Sequence, residues 1–135
     1  MPLSGGCDPQ QLSPAALAFV GDAVYGLMVR ESLAAGPAGR VGALHGASVR
    51  LVNAAAQAKA AQMILPILTK QEQDIFRRGR NAHTPHTPRS ASKADYHAAT
   101  GLEALFGYLY LKDEIGRLQF LFRMISGTDA GNTKP

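Results

Sequence analysis

Two carboxylates in this chain stand where an acid is out of place. Asp22 lies within Leu17-Ala18-Phe19-Val20-Gly21-Asp22-Ala23-Val24-Tyr25. Glu103 lies within Thr100-Gly101-Leu102-Glu103-Ala104-Leu105-Phe106-Gly107-Tyr108. Each is the single acid of an otherwise apolar, helix-forming run. At helical spacing the neighbours of Asp22 are Ala15, Ala18, Tyr25 and Gly26, and those of Glu103 are Ala99, Thr100, Phe106 and Gly107. None of these is Lys or Arg, and an ionised carboxylate on a core-facing stripe is costly unless something compensates it. The small neighbours would let two helices approach closely and bring both acids to one point. A hard divalent cation such as Mg²⁺, which favours carboxylate and water ligands, would then compensate both charges. For either acid taken singly, the alternative is a hydrogen bond to a distant Arg or backbone group.

The chemistry open to such a pair is phosphodiester hydrolysis. A cation held there lowers the pKa of water, neutralises the phosphate and stabilises charge on the leaving oxygen. No Ser-His-Asp or Cys-His arrangement competes. His83, His86 and His97 fall in or beside a basic segment, and His45 is isolated. His83 and His86 are half of a tetrahedral zinc set, but the other two ligands have no candidates.

The basic segment is the second chemistry-bearing region. The net charge is +4, and residues 77–97 carry Arg77, Arg78, Arg80, Arg89 and Lys93 against Asp95 alone. That surplus of four equals the charge of the whole chain, so the remainder is balanced. A basic patch of this kind is the electrostatic footprint of a polyanion. Arg forks bind phosphates, while Asn81, Thr84 and Thr87 can reach ribose hydroxyls, which suits duplex RNA read by shape. Tyr96 is the one aromatic nearby, which argues against stacking of single-stranded bases. The alternative is an ordinary solvated charge run.

The elements that must position these groups read as helices. Ser13-Pro14 opens one, with Leu17, Val20, Val24, Leu27 and Met28 as its core stripe, and Gly36-Pro37 ends it. A second helical stretch runs from Val41 to about Ile64, broken near Gly46. Its inner side is Leu44, Val49, Val52, Ala56 and Met63, and Arg50, Asn53, Gln57 and Lys59 face water or a partner. Pro66 ends it. Thr69 and Glu72 fit a capping box for a short helix to about Arg78, anchored by Ile75 and Phe76. Residues 82–90 have two prolines and no periodicity, and read as a long loop. Ser92 opens a helix that is apolar around most of its circumference, hence central. Asp113 caps a last helix with Ile115, Leu118, Leu121, Phe122 and Ile125 on one face, ending near Ser126-Gly127. Residues 1–11 read as a flexible leader, 12–127 as one domain and 128–135 as a flexible tail.

Composition sets bounds on the whole. At 135 residues there is room for one core, and 46% hydrophobic residues exclude a disordered chain. Abundant Ala and the absence of long β-branched runs favour an all-α fold. A lone Cys7 excludes an intramolecular disulfide and fits a reducing compartment. With neither a signal-peptide pattern nor a bilayer-spanning apolar run, the expected location is the cytoplasm and no membrane role is expected.

Four blocks, in order and at compatible spacing, carry a resemblance. They are Leu17 to Tyr25, Arg78-Gly79-Arg80-Asn81-Ala82, Thr87-Pro88-Arg89, and Tyr96 to Leu111. Together they resemble the ribonuclease III catalytic domain, and most closely its short Mini-ribonuclease III group, which has no separate double-stranded-RNA-binding domain. The resemblance implies an all-helical endonuclease-domain bundle acting as a homodimer. It implies an Mg²⁺-dependent endoribonuclease, with Mn²⁺ as a possible substitute. Such an enzyme cleaves both strands of an RNA duplex to 5′-phosphate and 3′-hydroxyl ends, and matures 23S ribosomal RNA precursor ends. Asp22 matches the family's signature aspartate and Glu103 its metal-binding glutamate, as the catalytic and metal-holding pair. Ala18 and Thr100 stand where full-length ribonuclease III has further acids, and Thr100 is a candidate supporting residue for a water. With no appended module, the RNA affinity is expected from Arg77, Arg78, Arg80, Asn81, His83, His86, Arg89 and Lys93. The competing reading is a non-catalytic double-stranded-RNA-binding protein of the same fold, which would have been free to lose either acid.

Overall fold

The computed structural model describes residues 7–36, 41–82 and 92–127. Among them lie α1 (Pro14–Ala35), α2 (Val41–Val52), α3 (Ala54–Ile64), α4 (Lys70–Arg80), α5 (Lys93–Leu111) and α6 (Ile115–Ser126). Two short 3-10 turns, Pro9–Gln11 and Leu65–Ile67, complete the set, and the described residues contain no strand.

The helices begin where a side chain can accept from the otherwise unpartnered N–H groups of a first turn. Ser13 Oγ accepts from the Ala16 amide at 3.1 Å. Thr69 and Glu72 form the expected reciprocal box, and Ser92 Oγ accepts from the Asp95 amide at 3.1 Å. Asn53 Oδ1 accepts from the Ala56 amide at 2.8 Å and starts α3. The break between α2 and α3 therefore falls at Asn53 and not at Gly46, because Asn supplies the capping acceptor that Gly lacks. Asp113 was also misplaced as a cap. It takes a left-handed φ of 63°, which Asp tolerates. Glu114 precedes α6 without a side-chain capping bond.

Helix α5 is the axis on which α1, α3, α4 and α6 all pack. Ten of its residues are buried, among them Leu102, Leu105, Phe106 and Tyr108. The most extensive packing is with α1. A Cβ on Gly21 would overlap the Glu103 carbonyl, and one on Gly107 would overlap the Leu17 carbonyl. The two helices therefore cross backbone to backbone.

That crossing corrects part of the expected stripe: Leu17 is buried and Val24 and Met28 pack against the core, but the centre of the buried face lies elsewhere. The buried face of α1 is Leu17, Ala18, Gly21, Tyr25, Gly26 and Val29, while Leu27 is 56% exposed. A close crossing needs small residues at its centre, so α1 is rotated towards Ala18 and Gly21. The same substitution of small for large occurs on α3, which buries Gln57, Ala60, Ala61 and Ile64 and leaves Met63 outside. Val49 of α2 is likewise exposed, and so is Ile115 of α6.

Two polar ties fasten the periphery. Glu72 pairs with Arg117 at 2.8 Å, and Arg117 also donates to the Ile67 carbonyl at 3.0 Å. Burial alone would raise the Glu72 carboxyl, but the Arg117 and Thr69 hydrogen bonds overcome it and hold the group below its ordinary range. The Tyr108 hydroxyl meets Gln10 Nε2 at 2.9 Å, Gln71 Nε2 at 2.7 Å and Lys112 Nζ at 3.2 Å. The end of the stretch expected to be a loose leader is thus tied to the core.

Candidate active site

Crossing at Gly21 and Gly107 sets Asp22 and Glu103 side by side. Ala15, Ala18, Phe19 and Asp22 from α1 line one shallow depression with Tyr96, Thr100 and Glu103 from α5. The two carboxyls lie in hydrogen-bonding reach of each other. Asp22 is exposed, whereas Glu103 is set deeper, at intermediate exposure. Burial, then the Asp22 charge and its hydrogen bond, push the Glu103 carboxyl up to about 8. The Gln57 side chain, in reach of the same carboxyl, works in the opposite direction. Among the described residues, neither acid forms an ion pair.

Thr100 is buried at 7% exposure, and its Oγ1 donates to the Tyr96 carbonyl at 2.9 Å. The hydroxyl proton is therefore occupied, and what Thr100 offers the depression is an acceptor. Tyr25 lies beneath, edge-on to Phe106 at 5.2 Å and to Phe122 at 5.9 Å between ring centroids. Burial and the Glu103 charge push its hydroxyl up to about 12, so it stays protonated.

The donor set fits one class of cation. Two adjacent carboxylates without a counter-cation suit a hard ion that keeps several of its waters. No group of three or more His, Cys, Asp or Glu forms among the described residues, which does not suit a tetrahedral zinc.

The basic residues cluster at the C-terminal end of α4. Arg77, Arg78, Arg80 and Asn81 are all exposed. Arg77 hydrogen-bonds Asp74, Arg78 approaches the same carboxylate at 3.7 Å, and Arg80 sits over the Phe76 ring at 6.0 Å from its centroid. Gly79 packs against Ala104 and Gly101, so this end of α4 lies on the helix that carries Glu103. Lys93 is exposed in the first turn of α5. His83, His86 and Arg89 lie outside the described residues.

One residue of the site was misread in the sequence. Gln57, expected to face water or a partner, is 2% exposed on α3 and lies near enough to Glu103 to act on its carboxyl. Its signal was the small-residue face it shares with Ala60 and Ala61, four residues on from the cap at Asn53.

The sequence profile of the family described as Ribonuclease III domain matches residues 15–114, which include both acids and the end of α4. The chain belongs to the ribonuclease III domain family. Curated relatives place it with the Mini-ribonuclease 3 proteins. The one from Symbiobacterium thermophilum is 49% identical over 111 residues, covering 82% of this chain and 85% of the relative. That of Gloeobacter violaceus is 49% identical over 109 residues, with 78% and 79% covered. A solved structure from Fusobacterium nucleatum superposes with a TM-score of 0.77 at 28% identity, covering 93% of this chain and 98% of that one. The chain is thus a ribonuclease III-type endoribonuclease, from a family that is typically metal-dependent. No helix among the described residues is long and apolar enough to cross a membrane.

Proposed function

We propose that Asp22 and Glu103 jointly hold Mg²⁺, or Mn²⁺ in its place, for cleavage of double-stranded RNA. The observation that carries this is the pair itself: two carboxylates in mutual reach at a helix crossing, with no cation paired to either among the described residues. When bound, a divalent ion supplies water activation at neutral pH and neutralisation of phosphate charge. The residues of the chain supply position. Asp22 and Glu103 fix the ion against the rigid α1–α5 crossing. Thr100 accepts a hydrogen bond from water at the rim. Arg77, Arg78, Arg80 and Asn81 hold the RNA backbone, since all four are exposed at one helix end where phosphates can be contacted. His83, His86, Arg89 and Lys93 extend that surface in the same reading.

The substrate is a duplex, with 23S ribosomal RNA precursor ends as the natural target, in the cytoplasm. Products carry 5′-phosphate and 3′-hydroxyl ends. The working form is a homodimer, with one strand cleaved per subunit. Phe19 supports this: it is 83% exposed on the turn of α1 that carries Asp22, where a second copy would cover it.

The test is cleavage of a fully paired RNA and the matching DNA, with Mg²⁺ and with chelator, by wild type and Asp22→Asn. Loss of RNA cleavage in the mutant and with chelator, with DNA uncut, supports the reading. Tight RNA binding without cleavage under any divalent ion would leave the non-catalytic alternative standing.

A further inference from the structure

Gln57 has no assigned task in the reaction, yet among the described residues it is a buried amide with an unpartnered oxygen. It lies on α3, 2% exposed, on the face packed against α5. Its Nε2 donates to the Val52 carbonyl at 2.8 Å, and the side chain lies close enough to Glu103 to act on its carboxyl. Its Oε1 is the one buried side-chain oxygen or nitrogen among the described residues that has no partner.

A buried amide that served only the fold would pair both ends or be replaced by an apolar side chain, because an orphaned acceptor is costly. Here the amide has two acceptors beside it, the Val52 carbonyl and the Glu103 carboxyl. Flipping the amide would set its own oxygen against both. Nε2 has two protons: one goes to the Val52 carbonyl, the second is left for the Glu103 carboxyl, and an orphaned Oε1 follows from that orientation. We propose that Gln57 is a positioning residue, whose neutral N–H holds the Glu103 carboxylate from the core side and leaves its other side to share a cation with Asp22.

This rests on the reading of the acid pair as cation-holding. It also gives the residue type a reason. A Lys or Arg at position 57 would hold Glu103 equally well, but its charge would compete with the cation for the same carboxylate. A Gln orients without neutralising. Groups that orient metal-holding side chains in this way typically change metal affinity or activity about 10- to 100-fold when removed.

The test is Gln57→Met, which keeps the length of the side chain and removes both donor and acceptor. Calorimetry with Mn²⁺ on the intact metal-free chain should show binding weaker by about 10- to 100-fold. Turnover of duplex RNA at limiting Mg²⁺ should fall with KM for RNA unchanged, and excess Mg²⁺ should restore part of it. Mn²⁺ binding as tight as in wild type would overturn the proposal, whatever the melting temperature of the variant. A second measurement needs no change at position 57. The side-chain amide resonances of Gln57 in the wild-type protein should move on Mg²⁺ titration and in Glu103→Gln; resonances that stay in place in both would overturn it. Wild type that binds no Mn²⁺ and cuts no RNA would remove the cation-holding reading along with this one. A working wild type with an equally competent Gln57→Met would remove this one alone.

Discussion

At the scale of single residues, Glu103 governs how the site responds to pH. Its carboxyl is lifted from an ordinary value of 4.5 to about 8 by burial, the charge of Asp22 and the hydrogen bond to it. The folded, metal-free protein therefore holds a proton there that the unfolded chain has released. Stability from this group is fully present below about 4.5 and is lost as pH rises through the interval to about 8. Melting of metal-free protein should accordingly shift to lower temperature from pH 5 to pH 8. Saturating Mg²⁺ should flatten that slope, and apparent Mg²⁺ affinity should rise with pH over the same window. The comparison with Glu103→Gln isolates the contribution, since that variant should lose the slope. Thr100 makes a narrower claim. Its hydroxyl proton is bonded to Tyr96, so only its acceptor lone pair can serve the site. Thr100→Val should lower turnover roughly tenfold, the size of one lost neutral hydrogen bond, without weakening RNA binding. Unchanged turnover would remove Thr100 from the site.

At the scale of elements, the α1–α5 crossing is the feature on which the chemistry depends. Gly21→Ala would drive a methyl into the Glu103 carbonyl, with backbone on both sides and nothing able to rotate away. We expect a loss of about 3 kcal/mol, roughly 10 °C in melting temperature. Gly116→Ala is the control. It meets nothing within 4 Å on the open face of α6 and should raise stability by up to about 1 kcal/mol. The end of α4 carries a separate prediction. Arg78→Gln with Arg80→Gln should weaken RNA binding and reduce the slope of log affinity against log salt by roughly one to two. An unchanged slope would exclude this helix end from the RNA contact.

Much of this architecture was legible in the chain because caps are local chemistry. Ser13, Thr69 with Glu72, and Ser92 announced their helices without reference to anything distant. The acid pair was legible for a related reason, since a lone carboxylate among apolar residues conflicts with its own neighbourhood. The orientation of α1 was only partly legible: Leu17, Val24 and Met28 do pack on the core, but large apolar residues alone do not mark its centre. The core side is instead the one with Ala18 and Gly21, and only the partner helix reveals that small size was what counted. Gln57 was missed for the same reason. Its polarity suggested water, while its burial follows from Ala60 and Ala61 drawing that face of α3 against α5.

At the scale of the whole molecule, the exposed ring of Phe19 is an assembly matter. A Phe that is largely exposed beside an active site is poorly explained in a lone subunit and well explained by a second copy. Phe19→Glu should shift sedimentation towards the monomer, while the helical circular dichroism spectrum of the chain stays unchanged. A variant that sediments like wild type would move the interface elsewhere.

The backbone contact between Gly21 and Gly107 has one further consequence. It lies on α5, the helix against which α1, α3, α4 and α6 all pack, so the backbone that carries the acids should open only with the global fold. Such a backbone offers little local melting, even though the depression above it is open to solvent. Loosening of the machinery that cuts is then a poor route of control, and the delivery and release of the duplex is the better one.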